Sequence, residues 1–118
     1  MTYVSGFVAA VPEGNKQAYI DLAHRFWELA EEFGALSQVE CWEDDVPDGK
    51  TTDMRRAVRL EDGEKVVFSW VTWPDKPTYE AAQQKMMEDP RMQNMGEMPF
   101  DGSRMISGGF APIVELGA

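Results

Sequence analysis

The chain has 118 residues, of which 43% are hydrophobic, and its six Phe and four Trp are enough to build the core of one domain spanning residues 1–118. It carries 21 Asp and Glu against 11 Lys and Arg, which gives a formal net charge of −10. That balance argues against nucleic-acid or membrane partners, because binding to phosphate backbones or to anionic lipid requires clustered basic residues.

The cellular compartment is indicated by the single cysteine and by the apolar segments. Cys41 can form no internal disulfide, and we expect it to be a small buried hydrophobe in a strand. The segment MTYVSGFVAAV lacks the basic residues of a signal peptide and alternates like a strand. No apolar run approaches the roughly 18 residues of a membrane span. These features predict a cytoplasmic protein.

The first 42 residues predict a strand, a helix and a second strand. Residues 3–11 alternate with no charge on either side, which is typical of a strand covered on both faces. Apolar residues in 16–33 recur at three- and four-residue steps and predict an amphipathic helix. Asn15 is a suitable N-cap, and Gly34 is placed to end the helix. Residues 35–42 are predicted as the second strand.

A hairpin and a second helix are predicted next. Residues 52–60 and 64–73 flank Asp62-Gly63, a pair favoured in tight two-residue turns. The second arm contains KVVFSWVTW, nearly all apolar, and should be the central strand. Residues 78–88 predict a second helix that Pro90 stops.

The remainder of the chain predicts an irregular segment and a last strand. Residues 91–102 are rich in Met and Gly and have no clear period. Residues 105–116 predict the strand, in which Gly108-Gly109 indicates a bulge or a close backbone approach.

The element order β-α-β-β-β-α-β predicts an α+β, ferredoxin-like split βαβ fold with an antiparallel sheet, two helices on one face and one extra hairpin arm. Two helices cover only one face, yet the strands carry apolar side chains on both. An identical subunit is the simplest cover for the second face. We therefore expect a homodimer, a dimeric α/β barrel whose sheets face each other around an internal cavity.

The acidic segment WEDDVPDGK raises the possibility of a calcium loop. With Gly49 as the sixth position, Asp44 and Asp48 fall correctly at the first and fifth. Val46 then falls at the third position and Arg55 at the twelfth, so the pattern fails. The segment predicts a β-turn instead.

Arg56 follows this turn and permits two interpretations. On a strand it would share a face with apolar residues and need a carboxylate partner if partly buried. The candidate partners are Asp44, Asp45, Asp53, Asp89 and Asp101. Either an Arg–Asp pair ties the loop down, or the arginine binds an anionic group of a substrate through its bidentate fork.

Two further features permit more than one role. His24, the one histidine, lies on the polar face of the first helix and is expected to be an exposed surface residue rather than a general base. Residues 88–105 contain several methionines, which either adapt to a ligand or fill the barrel end or the dimer seam. No glycine-rich phosphate loop, GxSxG motif or metal-ligand spacing is present in the sequence, so we expect no cofactor.

Several segments together resemble an uncharacterised bacterial family, domain of unknown function 1428, related to the dimeric α/β-barrel proteins. The segments that carry the resemblance are YVSGFVAAVP, DDVPDGK, VVFSWVTWP, MMEDPRM and MPFDGSRMISGGF. Met54 departs from the family pattern, which has an aromatic residue there. The resemblance implies a ferredoxin-like protomer and a dimer but no established reaction. Relatives in the superfamily include cofactor-independent monooxygenases, isomerases, decarboxylases and dehydratases that act on small molecules.

The functional prediction is a homodimer that binds a small apolar or aromatic molecule in its cavity, and that is a cofactor-independent enzyme if it catalyses a reaction. In that case Arg56 orients an anionic group, and Asp53 or Glu40 is the base. The expected ligand-binding residues are Trp42, Phe68, Trp70, Arg104 and Met105. The alternative is a non-enzymatic dimer with a filled interface.

Overall fold

One antiparallel sheet forms the centre of the structure, a computed structural model that describes residues 2–117. Its strands are β1 (Tyr3–Pro12), β2 (Ser37–Trp42), β3 (Glu64–Trp73) and β4 (Ile106–Phe110). They lie in the order β2-β3-β1-β4, and each neighbouring pair is antiparallel. This is the strand order of the ferredoxin-like fold, so the predicted α+β class and split βαβ plan are confirmed.

The helices are α1 (Lys16–Glu32), α2 (Met54–Ala57), α3 (Lys76–Glu88) and α4 (Pro90–Gln93), with single 3-10 turns at Glu13–Asn15 and Gly102–Arg104. Within residues 2–117, none of these helices combines the length and apolar character that crossing a membrane requires.

The two long helices cover the same face of the sheet. Ala30 of α1 and Ala82 of α3 are completely buried against Val71 and Trp73 of β3. The Trp73 indole donates a hydrogen bond to Ser5 Oγ at 3.0 Å. Small residues on the helices allow close approach to the sheet, and the large Trp73 fills the space between the two layers. We call this the helix side of the sheet.

The ends of α1 are close to those predicted. Gly34 has φ of 110°, and its N–H donates to Glu31 while that of Ala35 donates to Ala30. This pattern is a Schellman motif, in which glycine provides the left-handed residue. Asn15 occupies the N-cap position but makes no side-chain cap hydrogen bond; its amide donates to the Pro99 carbonyl instead.

The strand predicted at residues 52–60 is wrong. Asp53 accepts a hydrogen bond from the Arg56 backbone N–H and thereby caps the single turn of α2. Arg59 then adopts a positive φ of 49°, which turns the chain sharply. Val58 is completely buried against Ala10 and Val66. The apolar residues of this segment thus pack onto the sheet without joining it, and the predicted extra hairpin arm is absent.

Two other predicted boundaries differ from the structure. Helix α3 begins two residues before Thr78, because Asp75 caps it and a proline is tolerated in the first turn. Strand β4 ends at Phe110 rather than at residue 116. Its register with β1 runs without a bulge, and Gly109 packs against the Tyr3 ring where a Cβ would clash.

The second face of the sheet, which we call the open face, is largely exposed. Residues after α2 cover one end of it. Elsewhere the face presents apolar and aromatic side chains, among them Phe68 (45% exposed), Ile106 (46%) and Phe110 (62%). Cys41 lies opposite Phe68 on this face and is only partly buried in the protomer, rather than fully buried as predicted.

Candidate functional site

Strand β2 places two polar side chains beneath the helices. Gln38 and Glu40 lie directly opposite Val71 and Ser69 of β3, residues that face the helix side. The strand alternation therefore directs both polar side chains into the layer between sheet and helices. Polar residues are uncommon in such a layer unless they are hydrogen-bonded or functional.

Glu40 accepts three hydrogen bonds from uncharged donors. The Tyr19 hydroxyl of α1 donates to Oε1. The Gln38 amide and the Ser69 hydroxyl donate to Oε2 at 2.9 and 2.8 Å. None of these partners is a cation, so the carboxylate is held by dipoles alone. This arrangement fixes its orientation without neutralising its charge.

Tyr19 acts as a hydrogen-bond donor in this network. Its side chain is 5% exposed, and its ring lies 5.9 Å from that of Phe100. Burial, reinforced by the hydrogen bond to Glu40, raises the pKa of Tyr19 well above its ordinary value. The phenol therefore stays protonated at neutral pH.

Gln38 completes the polar group. Its Nε2 donates both to Glu40 and, at 3.3 Å, to the Ala23 carbonyl of α1. These two acceptors fix the orientation of the amide. Its Oε1 is buried without a hydrogen-bond partner among the described residues. An unpaired buried acceptor costs free energy, and such groups are uncommon in native structures.

A cavity of about 240 Å³ lies beside this polar group, between the sheet and α1. Its wall is almost entirely apolar. The lining residues are Phe7, Tyr19, Leu22, Ala23, Phe26, Gln38, Glu40, Met92, Met95, Met98, Phe100 and Met105. We predicted a cavity between two facing sheets, whereas this one lies within a single protomer, on the helix side.

The Met-rich segment, residues 91–102, forms one wall of the cavity. Polar contacts attach it to the rest of the protein. Arg91 donates to Glu32 of α1 at 2.6 Å and to Asp89 at 2.9 Å. The amide of Asn15 holds the Pro99 carbonyl at 2.8 Å. These contacts fix both ends of the wall, and the methionines between them are unbranched, flexible side chains.

Arg104 is fully engaged by the protein. Its guanidinium binds both carboxylate oxygens of Glu64 at 2.7 Å, Asp101 at 3.1 Å and the Arg59 carbonyl at 2.9 Å. The hydrogen bond from Arg104 lowers the pKa of Glu64. The structure thus places this predicted ligand-binding residue in an ion pair that joins the C-terminal part of the chain to β3.

Asp53 and Arg56 lie together in the acidic loop, away from the cavity. The Arg56 guanidinium binds Asp53 at 3.0 Å and donates to the carbonyls of Gly49, Lys50 and Thr51. Contrary to the expectation of partial burial on a strand, its side chain is 49% exposed. Of the two interpretations, the contacts match the first: the pair closes the loop.

Glu43 is a further acid of the loop with a structural role that the sequence did not indicate. Glu43 accepts hydrogen bonds from the Val66 N–H at 2.9 Å and from Arg55 at 2.7 Å. The hydrogen bond from Arg55 lowers the pKa of Glu43. Since Glu43 follows β2 directly, it fastens the start of the loop to β3. Among residues 2–117, no three His, Cys, Asp or Glu side chains cluster as a metal site would require.

The predicted site residues are therefore not gathered in one place. Glu40 and Met105 line the cavity. Trp42 lies on the helix side, under the Lys16 ammonium at 5.3 Å, but outside the lining. Phe68 and Trp70 pack against each other on the open face, with ring centroids 5.4 Å apart and ring planes tilted by 55°. The structure does not bring Glu40 together with Asp53 and Arg56. His24 is exposed on α1, as expected.

One feature of the sequence indicates the polar group of the site. Gln38 and Glu40 are polar residues two positions apart in a strand, so they must share a face. Tyr19 gave no signal, because it falls within the apolar stripe of α1. The methionines and Phe100 lie in a segment without period, and their inward orientation follows only from tertiary contacts.

The pairing of Asp53 predicts a pH effect on stability. Hydrogen bonds from the backbone N–H groups of Arg56 and Gly49 lower the pKa of Asp53 to about 2, from an ordinary 3.8. The unfolded chain then binds this proton more readily than the folded chain, so the stabilisation is present above pH 3.8 and lost as the pH falls towards 2. We expect Asp53→Asn to remove that part of the acid destabilisation, as measured by urea unfolding at about pH 5 and about pH 2.5.

The control for this experiment is Asp44→Asn, an exposed acid of the same loop. In this variant, the free energy of unfolding should fall between the higher and the lower pH by as much as it does in the original protein. If both variants changed the pH dependence of stability equally, the assignment of Asp53 as the residue that closes the loop would be contradicted.

Comparison with known proteins places the chain in a family context. Residues 2–102 match the family described as "Protein of unknown function (DUF1428)". The chain is 58% identical over 116 residues to the uncharacterised protein YbaA of Escherichia coli strain K12, a match that covers 98% of this chain and 99% of that protein. The uncharacterised protein YbaA of Shigella flexneri matches with the same identity and coverage.

A solved structure is similar in fold. The structure of Rv0793 from Mycobacterium tuberculosis superimposes with a TM-score of 0.53, over 99% of this chain and 100% of that one. The two sequences are 12% identical, so the likeness concerns the fold alone.

Proposed function

Since the chain belongs to DUF1428, a family of proteins of unknown function, we propose a function from its own site. We infer that the protein binds one small apolar or aromatic molecule in the cavity between its sheet and α1, and that it does so as a homodimer. The observation that carries the proposal is an apolar cavity of about 240 Å³ with one carboxylate in its wall.

The size of the cavity sets the size of the ligand. An apolar cavity of about 150 Å³ holds a benzene molecule, so about 240 Å³ accommodates one substituted ring or a short branched chain. Apolar walls with a few polar groups are typical of small-molecule sites, in which the polar groups orient the ligand. The methionine wall allows the volume to adjust.

The polar group gives the site one proton acceptor. Glu40 is a carboxylate, whereas the raised pKa of Tyr19 keeps that hydroxyl protonated. The reaction we propose is the removal of a proton from the bound molecule by Glu40, with no cofactor. A carboxylate held in place by three hydrogen bonds is already oriented for such a transfer.

The open face supports the proposed homodimer. Its exposed Phe68, Ile106 and Phe110 form an uncharged surface on a chain of net charge −10. A two-fold interface brings the same patch together from both copies, so the charged residues stay outside it. A second copy of the chain is therefore the occupant we propose.

Binding is tested with apolar probes and a cavity-filling variant. Toluene and indole should each raise the melting temperature of the protein, because a ligand that binds only the folded state stabilises it. Ala23 lines the cavity, so Ala23→Phe should remove these shifts. Ala81→Phe makes the same change at an exposed position of α3 and should keep them.

Native mass spectrometry of protein purified from cells supplies the second measurement. A retained molecule of one-ring size, released on unfolding and missing from Ala23→Phe, is the expected result. If neither probe shifts the melting temperature and no molecule is retained, the binding function is refuted.

A further inference from the structure

We propose that the cavity selects neutral molecules that carry a hydrogen-bond donor, such as a hydroxyl on an aromatic ring, and rejects anions. This inference rests on the proposed binding function and specifies its ligand class. The hydrogen bonds of Glu40 and the charges around the cavity support this preference.

The hydrogen bonds of Glu40 leave one acceptor position open. An ionised carboxylate offers about four acceptor positions, two on each oxygen. The donors Gln38 and Ser69 occupy both positions of Oε2, whereas Tyr19 alone binds Oε1. A ligand hydroxyl that donates to Oε1 completes the set. A hydrogen bond to an ionised acceptor is roughly twice as strong as one between neutral groups.

The lining contains no group that would balance an anion. Glu40 is its one charged side chain, and none of the twelve lining residues is Lys, Arg or His. His24 lies outside this lining, on an adjoining surface pocket that shares Tyr19, Ala23, Gln38 and Glu40 with the cavity. A second carboxylate beside Glu40 would lose its hydration and meet a like charge in apolar surroundings, and both effects oppose binding.

The arginines that could serve an anionic ligand are bound elsewhere. Arg55 binds Glu43, Arg56 binds Asp53, and Arg104 binds Glu64. The earlier expectation that Arg56 orients an anionic group therefore finds no support in the cavity, and the charges around the cavity favour a neutral ligand over an anion.

Three one-ring probes separate the contributions of shape, hydrogen bonding and charge. Phenol donates a hydrogen bond, anisole is its methyl ether without the donor, and benzoate is an anion. Isothermal titration should give phenol at least about tenfold tighter binding than anisole, since a hydrogen bond to a charged group contributes about 1.5–3 kcal/mol and 1.4 kcal/mol is tenfold. Benzoate should bind more weakly than anisole.

Substitution of Glu40 tests whether that residue causes the preference. In Glu40→Gln the preference for phenol over anisole should fall to within about threefold, and benzoate binding should strengthen by at least about tenfold. Glu40→Asp keeps the charge but shortens the side chain, so it should still reject benzoate while it binds phenol less tightly. Glu28→Gln, on the exposed surface of α1, should change none of the three affinities.

The outcomes distinguish this inference from the binding function on which it rests. If toluene binds but phenol and anisole bind equally, or Glu40→Gln leaves benzoate excluded, the ligand class is wrong and the cavity still binds apolar molecules. If benzoate binds the unaltered protein most tightly, the electrostatic argument is overturned. Failure of every aromatic probe would refute both. Should Glu40→Gln not fold, Glu40→Asp and the three probes still decide the question.

Discussion

Replacement of Phe68 by aspartate is expected to convert the proposed homodimer into a monomer. Phe68 lies in the central strand β3, is 45% exposed and packs against Trp70. A two-fold interface on the open face would bury the residue of both copies, so the variant would place two carboxylates in an apolar seam. Burial of unpaired charges costs several kcal/mol, enough to raise the dimer dissociation constant by at least about a hundredfold.

Light scattering during size-exclusion chromatography measures the mass directly. The protomer has a mass of 13.3 kDa. The unaltered protein should elute with twice the protomer mass at about 10 µM, whereas Phe68→Asp should shift to the protomer mass on dilution through concentrations at which the unaltered protein stays dimeric.

Met87→Asp is the matched control for the dimer. Met87 is 74% exposed on α3, outside the sheet, and its replacement should leave the dimer intact. A monomeric unaltered protein, or dissociation of both variants alike, would show that the open face is not the interface.

Replacement of Trp73 by alanine is expected to produce the largest loss of stability in the core. Trp73 is 2% exposed, packs between the two helices and the sheet, and has Tyr79 at a ring-centroid distance of 5.7 Å. Truncation of a buried Trp to Ala costs about 3–5 kcal/mol through lost burial and the cavity left behind. That is a large part of the 5–15 kcal/mol, approximately, that holds a domain of this size folded.

The variant Trp73→Phe separates packing from hydrogen bonding. It keeps most of the ring but loses the hydrogen bond from the indole N–H to Ser5, which should cost about 1–2 kcal/mol. Urea unfolding at one fixed protein concentration gives both values, because the stability of a homodimer depends on concentration. If the alanine and phenylalanine variants were equally stable, the packing role of Trp73 would be refuted.

The elements predicted well are those whose periodicity is set by long-range burial. The sequence of β3 is almost continuously apolar, because one face packs under the helices and the other also carries apolar side chains. The sequence of α1 has an apolar stripe because one side of the helix packs on the sheet. Their order along the chain was enough to predict the ferredoxin-like topology, since few connections of these elements satisfy the packing rules.

The segment around α2 shows why the same reasoning fails over short distances. Met54, Val58 and Leu60 alternate as they would in a strand. The Asp53 carboxylate, however, accepts a hydrogen bond from the Arg56 N–H and caps a helical turn there. A single local contact outweighs a weak alternating pattern over nine residues. The structure shows that Val58 reaches the sheet from outside it.

The site was harder to predict than the fold because its members are distant in the sequence. Tyr19 and Glu40 are separated by 21 residues, and Ser69 by a further 29. Each has an ordinary role when considered alone: a core aromatic, a strand acid and a small buried hydroxyl. Only the register of β2 with β3 and the packing of α1 bring the three side chains together.

Cys41 gives this protein a built-in covalent probe. It is the one thiol in the chain, it lies opposite Phe68 on the open face, and it is partly exposed in the protomer. Association through that face would shield the sulfur, so its rate of alkylation would follow the dissociated fraction. The exchange of subunits could then be timed with an unmodified sequence and a thiol reagent, with no label introduced by mutation.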